Sequence, residues 1–138
     1  MKKLLFFLAV SLLTVSSSFA QYRKGTIDAN LGLGLGDFPT LVGAVDFGLG
    51  KHISLGARGY LNVPSEVLGL GLRSAYHHQF VDNLDTYAGL TLDLVPGTDL
   101  SLLLGGRYFF QKRVAGFLEL DLGQGGIGGS VGVTFKLQ

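Results

Sequence analysis

The sequence predicts an all-β fold: an eight-stranded antiparallel up-and-down transmembrane β-barrel. Three observations predict it. Beyond residue 20, apolar and polar residues alternate with period two, and no stretch holds the 3.6-residue period of a helix. The alternation falls into eight runs, an even number, each near the ~9–11 residues that a tilted strand needs to cross a bilayer. The polar faces of these runs mix charge with glycine. The chain has 22 glycines but only three prolines, and the glycines sit inside alternating stretches that soluble strands usually keep free of them.

The first twenty residues read as a secretory signal peptide. Lys2 and Lys3 form a positive start, Leu4 to Val15 an apolar run interrupted by Ser11 and Thr14, and Ser18 and Ala20 the small residues before a cleavage at Gln21. The run is too short for a spanning helix, which needs about 20 apolar residues. Residues 21–138 are then one barrel domain. Losing the leader removes two of the 11 Lys+Arg and none of the 10 Asp+Glu, leaving nine against ten. That balance gives no nucleic-acid footprint. The chain has no cysteine, which excludes a disulfide framework and a thiolate metal site.

In Gly25–Leu35, Ile27, Ala29, Leu31, Leu33 and Leu35 oppose Thr26, Asp28, Asn30, Gly32 and Gly34. Leu41–Leu49 sets Leu41, Val45, Phe47 and Leu49 against Ala44, Asp46 and Gly48. Ile53–Leu61 sets Ile53, Leu55, Ala57 and Leu61 against Ser54, Gly56, Arg58 and Tyr60. Val67–His78 sets Leu68, Leu70, Leu72 and Tyr76 against Gly69, Gly71, Arg73 and His77. Thr86–Val95 sets Ala88, Leu90, Leu92 and Leu94 against Tyr87, Gly89, Thr91 and Asp93. Leu100–Phe110 sets Leu100, Leu102, Leu104, Tyr108 and Phe110 against Ser101, Gly105 and Arg107. Val114–Gly123 sets Val114, Leu118, Leu120 and Leu122 against Ala115, Phe117, Glu119 and Asp121. Gly129–Leu137 sets Val131, Val133, Phe135 and Leu137 against Ser130, Gly132, Thr134 and Lys136. Hairpin turns are expected at Gly36–Thr40, Gly50–His52, Asn62–Glu66, Gln79–Asp85, Pro96–Asp99, Gln111–Arg113 and Gln124–Gly128.

A soluble barrel turns its apolar face inward and a membrane barrel turns it outward. The outward reading rests on an apolar face free of Asp, Glu, Lys and Arg, and on a polar face whose glycines suit a narrow lumen. It also rests on Phe47, Tyr76, Tyr108, Phe110 and Phe135, which gather near the ends of even-numbered runs as an aromatic girdle at the periplasmic interface.

The final run, Val131-Gly132-Val133-Thr134-Phe135-Lys136-Leu137, resembles the C-terminal strand signal of outer-membrane barrels, although the chain closes on Leu137-Gln138 rather than on a terminal aromatic. Over residues of about 25–137 the pattern resembles the small outer-membrane barrel proteins: the OmpA membrane domain, the OmpX group and opacity-type proteins. The resemblance implies export, residence in the outer membrane among its lipids, and recognition of the last strand by the barrel-assembly machinery. A monomer is expected.

The polar face carries Asp28, Asp46, Asp93, Glu119 and Asp121 against Arg58, Arg73, Arg107 and Lys136. Buried ions persist when paired, so a structural plug of ion pairs is expected, with Arg107 between Asp93 and Glu119 on neighbouring strands and Lys136 beside Asp28. His52-Ile53-Ser54 with Glu66 resembles the His-x-Ser plus distant Glu of the outer-membrane lipid A 3-O-deacylases. A whole strand at ~3.3 Å per residue separates the two parts, so contact among the three is not expected. His77 and His78 point to opposite faces, which disfavours a shared metal, and they read as interfacial residues entering a turn. No catalytic set, cofactor or metal is expected. The anticipated role is structural or surface-interacting, against the alternatives of a lipid-modifying enzyme, a narrow pore, or a soluble periplasmic barrel.

Overall fold

The computed structural model describes residues 2–3 and 24–137; the cleavage site and most of the leader expected at 1–20 lie outside the described residues. Eight strands follow in order: β1 (Ile27–Leu35), β2 (Thr40–Gly48), β3 (Ile53–Asn62), β4 (Val67–Val81), β5 (Leu84–Val95), β6 (Asp99–Gln111), β7 (Val114–Gly123) and β8 (Gly126–Lys136). Each pairs antiparallel with the next, and β1 pairs with β8 from Asp28↔Lys136 to Leu35↔Gly129, closing the barrel. The ten-residue strands β3 and β7 would rise ~25 Å at ~3.3 Å per residue and ~40° of tilt, the height of an outer-membrane apolar band.

The barrel is inside-out. Among the described residues fifteen polar or charged residues are buried against six apolar ones, while leucines, valines and phenylalanines of every strand are exposed outside. Leu31, Leu55, Leu72, Leu90, Leu102, Leu118 and Val131 all point away from the lumen, on the faces that alternation assigned to them.

Glycine lets this wall close around bulky inward side chains. Tyr60 stands across from Gly69, and a Cβ on Gly69 would fall 2.1 Å from its ring. Tyr87 lies over Gly105 in the same way, at 2.4 Å. The rings thus cover the bare backbone of the neighbouring strand, a form of aromatic rescue. At the seam, Gly32 and Gly132 face each other, and a Cβ on Gly132 would sit 2.4 Å from the Gly32 Cα.

One turn differs from expectation. Gln79–Asp85 is not a seven-residue turn: β4 continues to Val81, β5 starts at Leu84, and only 82–83 connect them. The ladder carries a register shift between Gln79 and Val81, which obscures the period in the sequence. This hairpin lies at the end of the barrel that carries the chain termini. Its length places His77, Gln79 and Asp85 in the lumen wall, all buried.

Candidate functional site: the polar lumen

Inward side chains from opposite walls meet across the barrel. Arg107, on β6, is fully buried at 0% exposure and donates from Nη1 to Asp28 Oδ2 at 3.0 Å and from Nη2 to Asp46 Oδ2 at 2.8 Å. Its guanidinium also lies 4.8 Å from the centroid of the Tyr87 ring. Asp46 accepts a further bond from Asn30 Nδ2 at 2.9 Å, and Asn30 Oδ1 accepts from Thr134 Oγ1 at 2.6 Å. Arg73 Nε lies 3.0 Å from Asp46 Oδ1, near enough for charge attraction although outside hydrogen-bond geometry.

Arg73 grips Glu119 with two parallel bonds, Nη1 to Oε2 at 3.1 Å and Nη2 to Oε1 at 2.7 Å. Tyr87 Oη donates to the same Oε1 at 2.6 Å. Arg58 forks onto Asp93 through Nε at 3.0 Å and Nη2 at 3.1 Å, and reaches Asp121 Oδ1 through Nη1 at 3.1 Å. A cavity of about 340 Å³ occupies the lumen towards the 36–39 and 124–125 connections, lined by Tyr60, Arg58, Asp93 and Asp121 and reaching Arg73 and Glu119. Asp46, Tyr87 and Arg107 do not line it, so this cavity stops at the Arg73–Glu119 pair.

All nine charged residues expected in the lumen face it, but their pairing differs from expectation. Arg107 bonds neither Asp93 nor Glu119. The β-ladders place it level with Asp85 and Phe117, while Asp93 is level with Asp99 and Glu119 with Gly105. Its long side chain instead crosses the lumen to β1 and β2. Lys136 does stand beside Asp28 and within reach of its charge, while the hydrogen bond to Asp28 Oδ2 comes from Arg107, and the Lys136 ammonium lies 5.1 Å from the Phe109 ring centroid. Phe47, Tyr76, Tyr108, Phe110 and Phe135 all point outward and are exposed. Tyr76 is not at its strand's end, because β4 runs on to Val81; it is level with Ile53, the first residue of β3.

His77 corrects the interfacial reading. It is buried in the lumen, with Nε2 2.9 Å from Ser54 Oγ and Nδ1 2.8 Å from Asp85 Oδ2. Asp85 falls within the stretch that the sequence reads as a turn. Its only sequence signal is that, counted inward from Tyr87, it shares the lumen parity. His52 contacts the backbone carbonyl of His77 through Nδ1 at 3.1 Å, stacks on Tyr76, and leaves Ser54 to His77. Glu66 lies beyond the opposite end of β3, so His52, Ser54 and Glu66 do not form a site. No group of three or more His, Cys, Asp or Glu suited to a metal ion occurs among the described residues.

A closed eight-stranded antiparallel barrel with a charged interior and an apolar exterior defines the class of this protein. The fold is similar to that of a de novo designed transmembrane β-barrel, with TM-score 0.72 and 16% identity over 83% of this chain and 98% of that one. It is similar to the solution NMR structure of the de novo designed TMB2.3, with TM-score 0.68 and 16% identity over 84% and 97%. It is also similar to the N-terminal β-barrel domain of Pseudomonas aeruginosa OprF, with TM-score 0.61 and 18% identity over 83% and 98%. At these identities the likeness is one of fold. No family model and no curated protein matches the sequence.

Proposed function

We propose that the protein is a resident barrel of the outer membrane with a closed lumen, serving the envelope as a structural or surface-contacting element. On this reading residues 1–20 direct export and are removed, and the barrel-assembly machinery takes up β8 through its Phe135-containing strand. The mature protein sits as a monomer among outer-membrane lipids, and its role requires no catalysis. The observation that carries the reading is the inverted burial: charges are inside, and every outward strand face lacks them. Burying an apolar exterior in hydrocarbon stabilises a small chain that has no disulfides and little apolar core. The Arg107 and Arg73 pairs span the lumen, which supports a plug over a pore. The connections 36–39, 63–66, 96–98 and 124–125 are short, which favours a scaffold over a dedicated adhesin.

Fractionation tests the assignment. The mature chain is expected in the outer-membrane fraction, migrating faster in unheated than in heated detergent gels. Recovery from the periplasm without detergent would refute it. In planar bilayers the plugged barrel is expected to be silent; steady conductance by the unmodified protein would replace the plug with a pore.

A further inference from the structure

We propose that Ser54, His77 and Asp85 form an acyl-transfer site at the termini-bearing end of the lumen, with Ser54 as nucleophile towards a carboxylic ester with a compact acyl group. This goes beyond the scaffold role. Three consecutive strands supply the groups: Ser54 is the second residue of β3, His77 lies in β4 and Asp85 is the second residue of β5. The order of contacts is the one nucleophilic catalysis needs. The hydroxyl meets one imidazole nitrogen, Nε2, at 2.9 Å, and the carboxylate meets the other, Nδ1, at 2.8 Å. A carboxylate on Nδ1 fixes the tautomer with the proton there, so that the Nε2 lone pair faces the serine hydroxyl and can take its proton.

The site is also pre-ordered. Ser54, His77 and Asp85 are 1%, 2% and 3% exposed, and the Tyr87 ring packs 5.0 Å from the imidazole. The side chains are held by strand backbone, which positions catalytic groups better than loops do. Directly across from Ser54 stand Gly48 on β2 and Ala75 on β4, which carry little or no side chain. These two neighbours add little bulk beside the hydroxyl, for which a compact acyl group such as acetyl is the least demanding substrate.

In the acylation step Ser54 Oγ bonds to the ester carbonyl carbon as its proton passes to His77 Nε2. The bond from that carbon to the leaving oxygen then breaks, and the alcohol departs with the Nε2 proton. Water reverses the sequence: its proton goes to Nε2, its oxygen bonds to the acyl carbon, and Ser54 leaves and regains the proton. The net reaction is ester plus water to acid plus alcohol. Ser54 and His77 touch the reacting atoms, and Asp85 is a positioning residue.

The test uses the full mature barrel folded in detergent micelles, with p-nitrophenyl acetate as the probe. Expected is a burst of p-nitrophenolate and a single acetyl group mapped to Ser54 by peptide mass spectrometry. Ser54→Ala abolishes both. His77→Gln and Asp85→Asn lower the saturating acetylation rate by roughly 10²–10⁴-fold. For Asp85→Asn the half-saturating ester concentration and the unheated gel band stay as in the parent, a split that a merely structural role does not give. The isosteric Asp85→Asn carries the test if His77→Gln does not reach the folded band. Absence of acetyl-Ser54 in the folded parent, or a rate unchanged by Asp85→Asn, overturns the proposal.

Discussion

Replacing Arg107 with methionine keeps most of the side-chain volume and removes the charge at the most deeply buried cation of the lumen. Asp28 loses its bond from Nη1, and Asp46 loses the one from Nη2. Asp46 keeps Asn30 Nδ2 at 2.9 Å and the Arg73 guanidinium at 3.0 Å, whereas Asp28 keeps only the charge attraction of Lys136 beside it, so Asp28 bears the larger loss. Removing one partner of a buried ion pair costs about 3–5 kcal/mol, because the remaining charge stays desolvated. Arg58 provides the internal comparison. It is 17% exposed beside the cavity, and its partners Asp93 and Asp121 are similarly open, so Arg58→Met is expected to cost only ~1–2 kcal/mol. The assay is urea unfolding of the barrel in lipid vesicles, followed by circular dichroism and the unheated gel band, since the chain has no tryptophan. Adding Asp28→Asn to Arg107→Met should recover part of the loss, since a neutral amide is cheaper to bury without a hydrogen-bonded cation than a carboxylate. An Arg107→Met cost no larger than that of Arg58→Met would refute the reasoning. So would effects of Arg107→Met and Asp28→Asn that add within ~0.5 kcal/mol, the behaviour of independent sites.

Gly105→Ala places a Cβ 2.4 Å from the buried Tyr87 ring and should cost about 1–3 kcal/mol in the same titration. Gly97→Ala, whose Cβ meets nothing within 4 Å, should leave the midpoint within experimental error. Leu90→Arg, at mid-height on the outer face of β5, should cost ~2–4 kcal/mol in vesicles, against ~0–1 for Ile127→Arg, which is 80% exposed near the strand start by the 124–125 connection. Equal tolerance of both arginines would contradict a lipid-facing exterior.

The strand count, the facing of each strand and the inversion of the barrel were legible in the sequence. They depend on side-chain parity, which survives small errors at strand ends. Leu31 and Asn30 need only be neighbours for one to point out when the other points in. Pairing was less legible, because it depends on register between strands and on reach across the lumen. Adjacency of strands points Arg107 to Asp93 and Glu119, yet the ladder sets it beside Asp85 and Phe117. Its actual partners lie 61 and 79 residues away in sequence, and alternation within a strand says nothing about contacts of that kind.

The Ser54–His77–Asp85 chain shows where the two kinds of legibility part. Parity places Ser54 with Gly56 and Arg58, and His77 with Arg73, so two of the three groups could be read as facing the lumen. The third was hidden by the register shift between Gln79 and Val81, which breaks the alternation where β4 meets its turn and makes 79–85 look like loop. A strand pair that gains three residues on one arm and two on the other lengthens the wall. It thereby brings a carboxylate to the second ring nitrogen of an imidazole that already meets a serine. The same long hairpin that corrects the turn assignment thus creates an arrangement in the lumen whose order of contacts resembles chemistry more than filling. Arg73, Arg107 and Glu119 can be satisfied by many neutralising partners. A hydroxyl and a carboxylate on opposite nitrogens of one ring require a fixed tautomer and a fixed order, which is why Asp85→Asn separates the two roles.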